Sequence, residues 1–144
     1  MKKTCGILVV VAVILLACLL GGMQLVRTSI IGVNPAVVAQ PTWPDAQTEA
    51  LARRACYDCH SNETAWPWFT RVAPISWLVA NDVAEGRARL NFSEWGTRPM
   101  EICELAEAAL EGEMPPASYL LMHPSARLTA SERQALAAGL QSLR

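Results

Sequence analysis

The chain has little net charge and little that is repetitive. Its 144 residues carry 12 Lys and Arg against 13 Asp and Glu, a formal net charge of −1. No basic excess points to nucleic acid, and no acidic run forms an interaction tail. No internal repeat is visible, and no alternating apolar–polar run is long enough to read as a strand, which leaves a β-rich fold without support. Five cysteines, an odd number at irregular spacing, do not form a disulfide framework. There are only two histidines, His60 and His123.

What the chain has in excess is apolar residues, at 52%. The excess is concentrated near the start. Cys5 to Val26 is an uncharged run in which Gln24 is the only strongly polar residue. About 20 residues of helix cross a hydrocarbon core, so residues 5–26 are long enough for a transmembrane anchor. A cleavable leader has a shorter apolar stretch and a nearby small-residue site. Here the small-residue site, ending at Ala39, lies well beyond the run. Cleavage after Ala39 stays open. So does lipid attachment at Cys18, since Leu15-Leu16-Ala17-Cys18 resembles a lipoprotein box, although the residues after it remain apolar. Lys2 and Lys3 put the positive flank on the short N-terminal side. The expectation is an N-terminus in the cytoplasm and the rest of the chain outside it, in a periplasm-like space, held by a single pass.

Residues 27–44 read as a linker interrupted by Pro35, Pro41 and Pro44. Residues 45–144 read as one all-α domain of about four helices and two irregular stretches. A first helix runs from Asp45 to Cys56. A second, over 74–90, carries an apolar stripe of Ile75, Leu78, Val79, Val83 and Leu90 behind Pro74. A third runs from Pro99 to Glu111 with Ile102, Leu105, Ala106, Ala109 and Leu110 facing inward, and Gly112 stops it. The last opens with the capping box Thr129-Ala130-Ser131-Glu132 and buries Leu136, Ala137, Leu140 and Leu143.

The first helix ends in Cys56-Tyr57-Asp58-Cys59-His60. Cys-x-x-Cys-His is the pattern for attaching c-type haem. Two thiols three residues apart share a helical face and can add to the two vinyl groups of one porphyrin. The imidazole of the next residue then reaches the iron as proximal ligand. One covalent haem c is therefore expected, bound by Cys56, Cys59 and His60. Two rival readings lack a haem. A dithiol redox pair needs a βαβ context that is absent. A zinc site needs four ligands, with Cys103 or His123 completing the set. With a single Cys-x-x-Cys-His, the chain alone cannot be a di-haem peroxidase.

A low-spin electron carrier needs a sixth iron ligand. Met114, followed by Pro115 and Pro116 on a stiffened loop, is the leading candidate, which makes His60 and Met114 the expected metal ligands. His123, beside Pro124, is the alternative, and Met100 and Met122 read as packing residues. The tryptophans at 43, 66, 68, 77 and 95 divide between lining the haem and packing the core. Arg71, Arg87 and Arg98 are candidate partners for the propionates. Tyr57 and Asp58 are expected to face outward, and Cys103 to be a buried inert thiol.

Several segments carry a family resemblance. These are the stretch 55–64 around the Cys-x-x-Cys-His, Trp66-Pro67-Trp68, residues 73–79, Leu90-Asn91-Phe92-Ser93-Glu94-Trp95, and the Met-Pro-Pro … His-Pro-Ser-Ala-Arg-Leu-Thr segment of 114–129. Together they resemble the haem-binding domain family of bacterial monohaem proteins, over about 40–144. The order of haem motif, middle helices, Met-Pro loop and final helix is also similar to class I cytochrome c. The resemblance implies a cytochrome c-like helical domain, often membrane-anchored, with one haem. The expected role is electron transfer to unidentified redox protein partners rather than enzymatic turnover. A haem sensor or small haem enzyme with an open sixth position, and a haem-free zinc or thiol module, are the competing classes.

Overall fold

A computed structural model describes residues 2–97 and 102–143 of the chain. Among these the fold is all-α, with no strand and a single isolated bridge between Ala39 and Glu94. The helices are α1 (Lys2–Met23), α2 (Ala46–Ala55), α3 (Tyr57–His60), α4 (Ile75–Arg89), α5 (Ile102–Glu111), α6 (Ala117–Met122) and α7 (Ala130–Gln141). Pro99 and Met100, expected at the start of the third domain helix, and Arg98 lie outside the described residues.

The chain divides into two units. One comprises residues up to Val33 together with Trp66–Asn81, and the other comprises Asn34–Ala65 and the chain from Asp82 onward. In the first unit, α1 has 22 residues, about 33 Å at 1.5 Å per residue. Its stretch Gly6–Met23 is apolar on every side and none of it is buried by protein, so it is long and apolar enough to cross a membrane. Just past its end, Gln24 forms a two-way clasp. Its Nε2 donates to the Ala73 carbonyl at 3.1 Å, and its Oε1 accepts from the Ala73 N–H at 3.0 Å. The Trp77 indole N–H also donates to the Val26 carbonyl at 3.0 Å.

The second unit has one apolar core, built from α2, α3, α5, α7 and the segment after α4. Its members include Leu51, Ala52, Tyr57, Leu90, Phe92, Leu105, Ala106, Leu136 and Leu140. Asp45 caps α2 by accepting from the Thr48 N–H at 2.7 Å. The capping box of α7 is formed in both directions, between Thr129 and Glu132. Helix α7 packs on α5 and on α2. At the α2 crossing, Gly139 lies directly against the buried side chain of Thr48, and a Cβ at 139 would overlap it. A helix-interior glycine, unfavourable for the isolated helix, is here the residue that lets the two helices approach.

Several sequence expectations change. On α4, Ile75 and Leu78 are exposed, and the buried line is Ser76, Ala80, Val83 and Leu90. The buried positions include small and polar residues, which periodicity of large apolar residues does not register. Leu110 is exposed, while Leu105, Ala106 and Ala109 form the buried face of α5. Cys103 is exposed rather than buried. The stretch after Pro116, expected to be irregular, contains α6. Tyr57, expected outside, is 4% exposed and stacks on Phe92 with ring centroids 5.3 Å apart.

Replacing Gly139 by alanine should cost about 1–3 kcal/mol through overpacking against Thr48, lowering the midpoint of thermal unfolding; an unchanged midpoint would show that the crossing is not tight. The Glu132 carboxyl is held below its ordinary value of 4.5, first by the Thr129 N–H and then by the Arg54 guanidinium. Its folded-state pKa is depressed, so the stabilisation is present above about pH 4.5 and is lost as pH falls through the folded value. Glu132→Gln should therefore weaken the acid dependence of stability, read from unfolding midpoints between neutral pH and pH 3.

Candidate haem site

The Cys-x-x-Cys-His segment forms one helical turn. Helix α2 ends at Cys56, whose carbonyl accepts from the Cys59 N–H at 3.2 Å and the His60 N–H at 2.9 Å. The three side chains thus come from i, i+3 and i+4 of a turn, one face of a helix. Cys56, Cys59 and His60 line a cavity of about 200 Å³ whose lining is largely apolar. Met114, Pro115 and Pro116 line it from another part of the chain, with Leu105 of α5 and Gly86 and Arg89 of α4. A smaller cavity of about 60 Å³ is also lined by His60, Arg89, Leu105 and Met114. The fold therefore gathers all four residues that the sequence marked, across 54 positions of chain between His60 and Met114.

His60 is 7% exposed. Its Nδ1 sits 3.2 Å from the Leu90 carbonyl. A carbonyl only accepts, so this contact is a hydrogen bond when Nδ1 carries the proton, the tautomer that leaves the Nε2 lone pair for a metal. Burial lowers the imidazole pKa, against the opposing pull of the Leu90 and Gly86 carbonyls. A neutral imidazole with a free Nε2 lone pair is the state that ligates iron.

The segment after the motif is locked to the segment after α4. The Phe92 N–H donates to the His60 carbonyl at 2.8 Å, and the Asn62 N–H donates to Ser93 Oγ at 2.9 Å. Asn91 Nδ2 donates to Asn62 Oδ1 at 2.9 Å, while Asn91 Oδ1 accepts from the Ser93 N–H at 2.9 Å. Arg87 Nε donates to the Ser61 carbonyl at 2.8 Å. Asn62, Asn91 and Ser93 are buried, and such satisfied polar groups fix one arrangement of the backbone. The polar residues of 60–64 and 90–94 thus hold His60 in place.

Gly86 of α4 makes the closest approach. A Cβ there would lie 2.5 Å from the Cys59 carbonyl oxygen and 3.0 Å from the Cys59 Cβ. Met114 is positioned by the end of α5. Gly112 turns the chain at φ +83, and the N–H groups of Gly112, Glu113 and Met114 all point to the Ala108 carbonyl, at 3.1, 2.9 and 3.1 Å. Glycine suits a left-handed turn that other residues adopt at a cost.

Both thiols are unpaired. Burial, with a contribution from Cys59, pushes the Cys56 thiol up to about 12. Cys59 is also pushed up to about 12, by burial first and then by Asp82 and Asp58, against Arg87. Thiols held protonated are sluggish in disulfide exchange. Among the described residues no group of three or more His, Cys, Asp or Glu is arranged to hold a metal ion. The four-ligand zinc set with Cys103 or His123 is not formed.

His123 lines neither cavity. Its ring stacks on Tyr119 with centroids 4.1 Å apart, and its Nδ1 lies 3.1 Å from the Tyr119 carbonyl. None of the five tryptophans lines either cavity. Trp43 and Trp95 pack on the core instead, near Phe92. Arg71 belongs to the other unit, and Arg87 is engaged with Ser61 and Thr64. Arg98 falls outside the described residues. Asp58, expected to face outward, lines the cavity and accepts from the Tyr119 hydroxyl at 2.7 Å. Burial first and then this contact raise the Tyr119 pKa.

Sequence reasoning missed Gly86, Arg89, Tyr119 and the Leu90 carbonyl. Gly86 did carry a signal, because an isolated glycine inside a helical pattern marks close packing. Gly86→Val should force α4 off Cys59 and lower the haem bound per chain, measured by absorbance against protein concentration. Full loading with an unshifted spectrum would show that this approach is dispensable.

No curated protein and no solved structure matches the chain. The model of a haem-binding domain family matches residues 18–142. The buried imidazole, the two free thiols one helical turn apart and the largely apolar cleft have the chemistry a haem needs. With most of its length matched and such a cleft around its single Cys-x-x-Cys-His, this haem-binding chain belongs to the haem-binding domain family.

Proposed function

We propose that the chain is a membrane-anchored c-type cytochrome that transfers electrons on the periplasmic side of a bacterial inner membrane and performs no bond-making chemistry. One haem is attached through Cys56 and Cys59, with His60 and Met114 as its axial ligands. The observation that carries the reading is that His60 and Met114 line the same cavities while His123 lines neither. When bound, the haem supplies an Fe(III)/Fe(II) couple, and Met/His ligation sets it at a raised potential.

The residues of the chain do the positioning. The Leu90 carbonyl holds the His60 proton on Nδ1. The turn at Gly112 carries Met114 to the cleft. Leu105, Pro115 and Pro116 line the cavity with apolar surface, and a low-dielectric surround limits reorganisation around the iron. Arg89 is the cation on the cavity wall suited to a haem carboxylate. Helix α1 supplies the anchor.

The test is ligand-specific spectroscopy on protein matured with its haem. Met114→Ala should abolish the weak long-wavelength band of Met–iron(III) ligation, open the site to carbon monoxide and lower the reduction potential. His123→Ala should leave all three unchanged. Ready binding of carbon monoxide by the unmodified protein would contradict the proposal and favour a sensor or enzyme with an open sixth position.

A further inference from the structure

The unit that contains α1 has a cavity of its own. It measures about 530 Å³ and is lined by Arg27, Thr28, Arg71 and Ser76, with Gln24 and Ile31 among its other walls. None of its lining residues is acidic. Among the described residues neither Arg27 nor Arg71 makes an ion pair. The Thr28 hydroxyl is buried and has no hydrogen-bond partner among them. A concave site lined by two arginines, with the unpartnered Thr28 hydroxyl and no carboxylate, suits an anion with several oxygens, above all a phosphate.

Its place in the chain narrows the ligand. Arg27 lies four positions after Met23, the last residue of α1. The clasp from Gln24 to Ala73 and the bond from Trp77 to Val26 fix the cavity walls to the point where α1 ends. The same unit exposes Trp68 at 77%, Val72 at 40%, Ile75 at 44% and Leu78 at 54%. Exposed apolar and tryptophan side chains beside the end of a spanning helix are characteristic of a membrane–water interface. A free phosphate would give these groups no partner, whereas a lipid gives them one.

We propose that this cavity holds the headgroup phosphate of an anionic phospholipid, with Arg27 and Arg71 as the charged ligands and Thr28 and Ser76 as hydroxyl donors. The site has no carboxylate to meet a choline or ethanolamine cation, so it discriminates against zwitterionic lipids. The proposal rests on the reading of α1 as a membrane anchor.

The test uses the full haem-loaded chain, delipidated in detergent, and native mass spectrometry with phosphatidylglycerol, with phosphatidylcholine of the same acyl chains, and with inorganic phosphate. One phosphatidylglycerol should be retained, at least about tenfold more tightly than phosphatidylcholine, a difference of about 1.4 kcal/mol. R27Q and R71Q should each weaken retention, and the double variant should abolish it with an unchanged haem spectrum. R127Q should retain the lipid like the unmodified chain. If the double variant loses its haem spectrum, the single variants decide. Equal retention by the arginine variants, equal retention of the two lipids, or phosphate binding as tightly as the lipid would overturn the proposal. Alkaline carbonate treatment of the chain in vesicles separates the two readings. Release of the unmodified chain defeats the anchor, whereas a chain that stays in the bilayer but retains no lipid defeats only the headgroup site.

Discussion

Helix α4 lies against the haem motif with Gly86 where any side chain would meet the Cys59 carbonyl. One turn further along the same stretch, the Leu90 carbonyl accepts a hydrogen bond from His60 Nδ1. These two contacts couple the positions of the thiols and the imidazole to a single element. Moving α4 outward would loosen the histidine and widen the cavity together. The polar lock through Asn62, Asn91 and Ser93 prevents that movement from the other side. A ligand set has to be held to a few tenths of an ångström, and such outer partners are what hold it. The core then only has to keep α4, α5 and the motif in register, which α7 does by packing across α5 and α2.

The parts legible in the sequence were those with local chemistry. The Cys-x-x-Cys-His turn, the Thr129–Glu132 capping box and the Gly112 stop are each determined within a few residues, and each is present. The apolar length of α1 is equally local. Met114 was legible because a methionine before two prolines is an unusual packing residue, and it does reach the cavity. What was not legible depends on backbone approach. Periodicity of large apolar residues assigned Ile75 and Leu78 to the core, but α4 presses inward with Ser76, Ala80 and Val83. The tryptophans show the same effect, since bulk and aromaticity do not say which apolar space a ring fills. Trp43 and Trp95 fill the space around Phe92, away from the cavity. Tyr57 and Asp58 turn inward because α3 is a helical turn enclosed by core on one side and cavity on the other.

The two units differ in what they carry. One carries the apolar helix and a cationic cavity at its end. The other carries the haem cleft, where Asn62, Ser93, Arg87 and the Leu90 carbonyl hold the backbone and ring of His60.

The proposed function depends on covalent attachment of the haem through Cys56 and Cys59. It is tested most directly by mass spectrometry of the chain after c-type maturation, acid-acetone extraction and full denaturation. The expected result is a chain carrying the mass of one haem, with the addition mapping to the peptide that contains Cys56 and Cys59. A chain of unmodified mass with both thiols free to alkylate, and all haem in the extract, would contradict it.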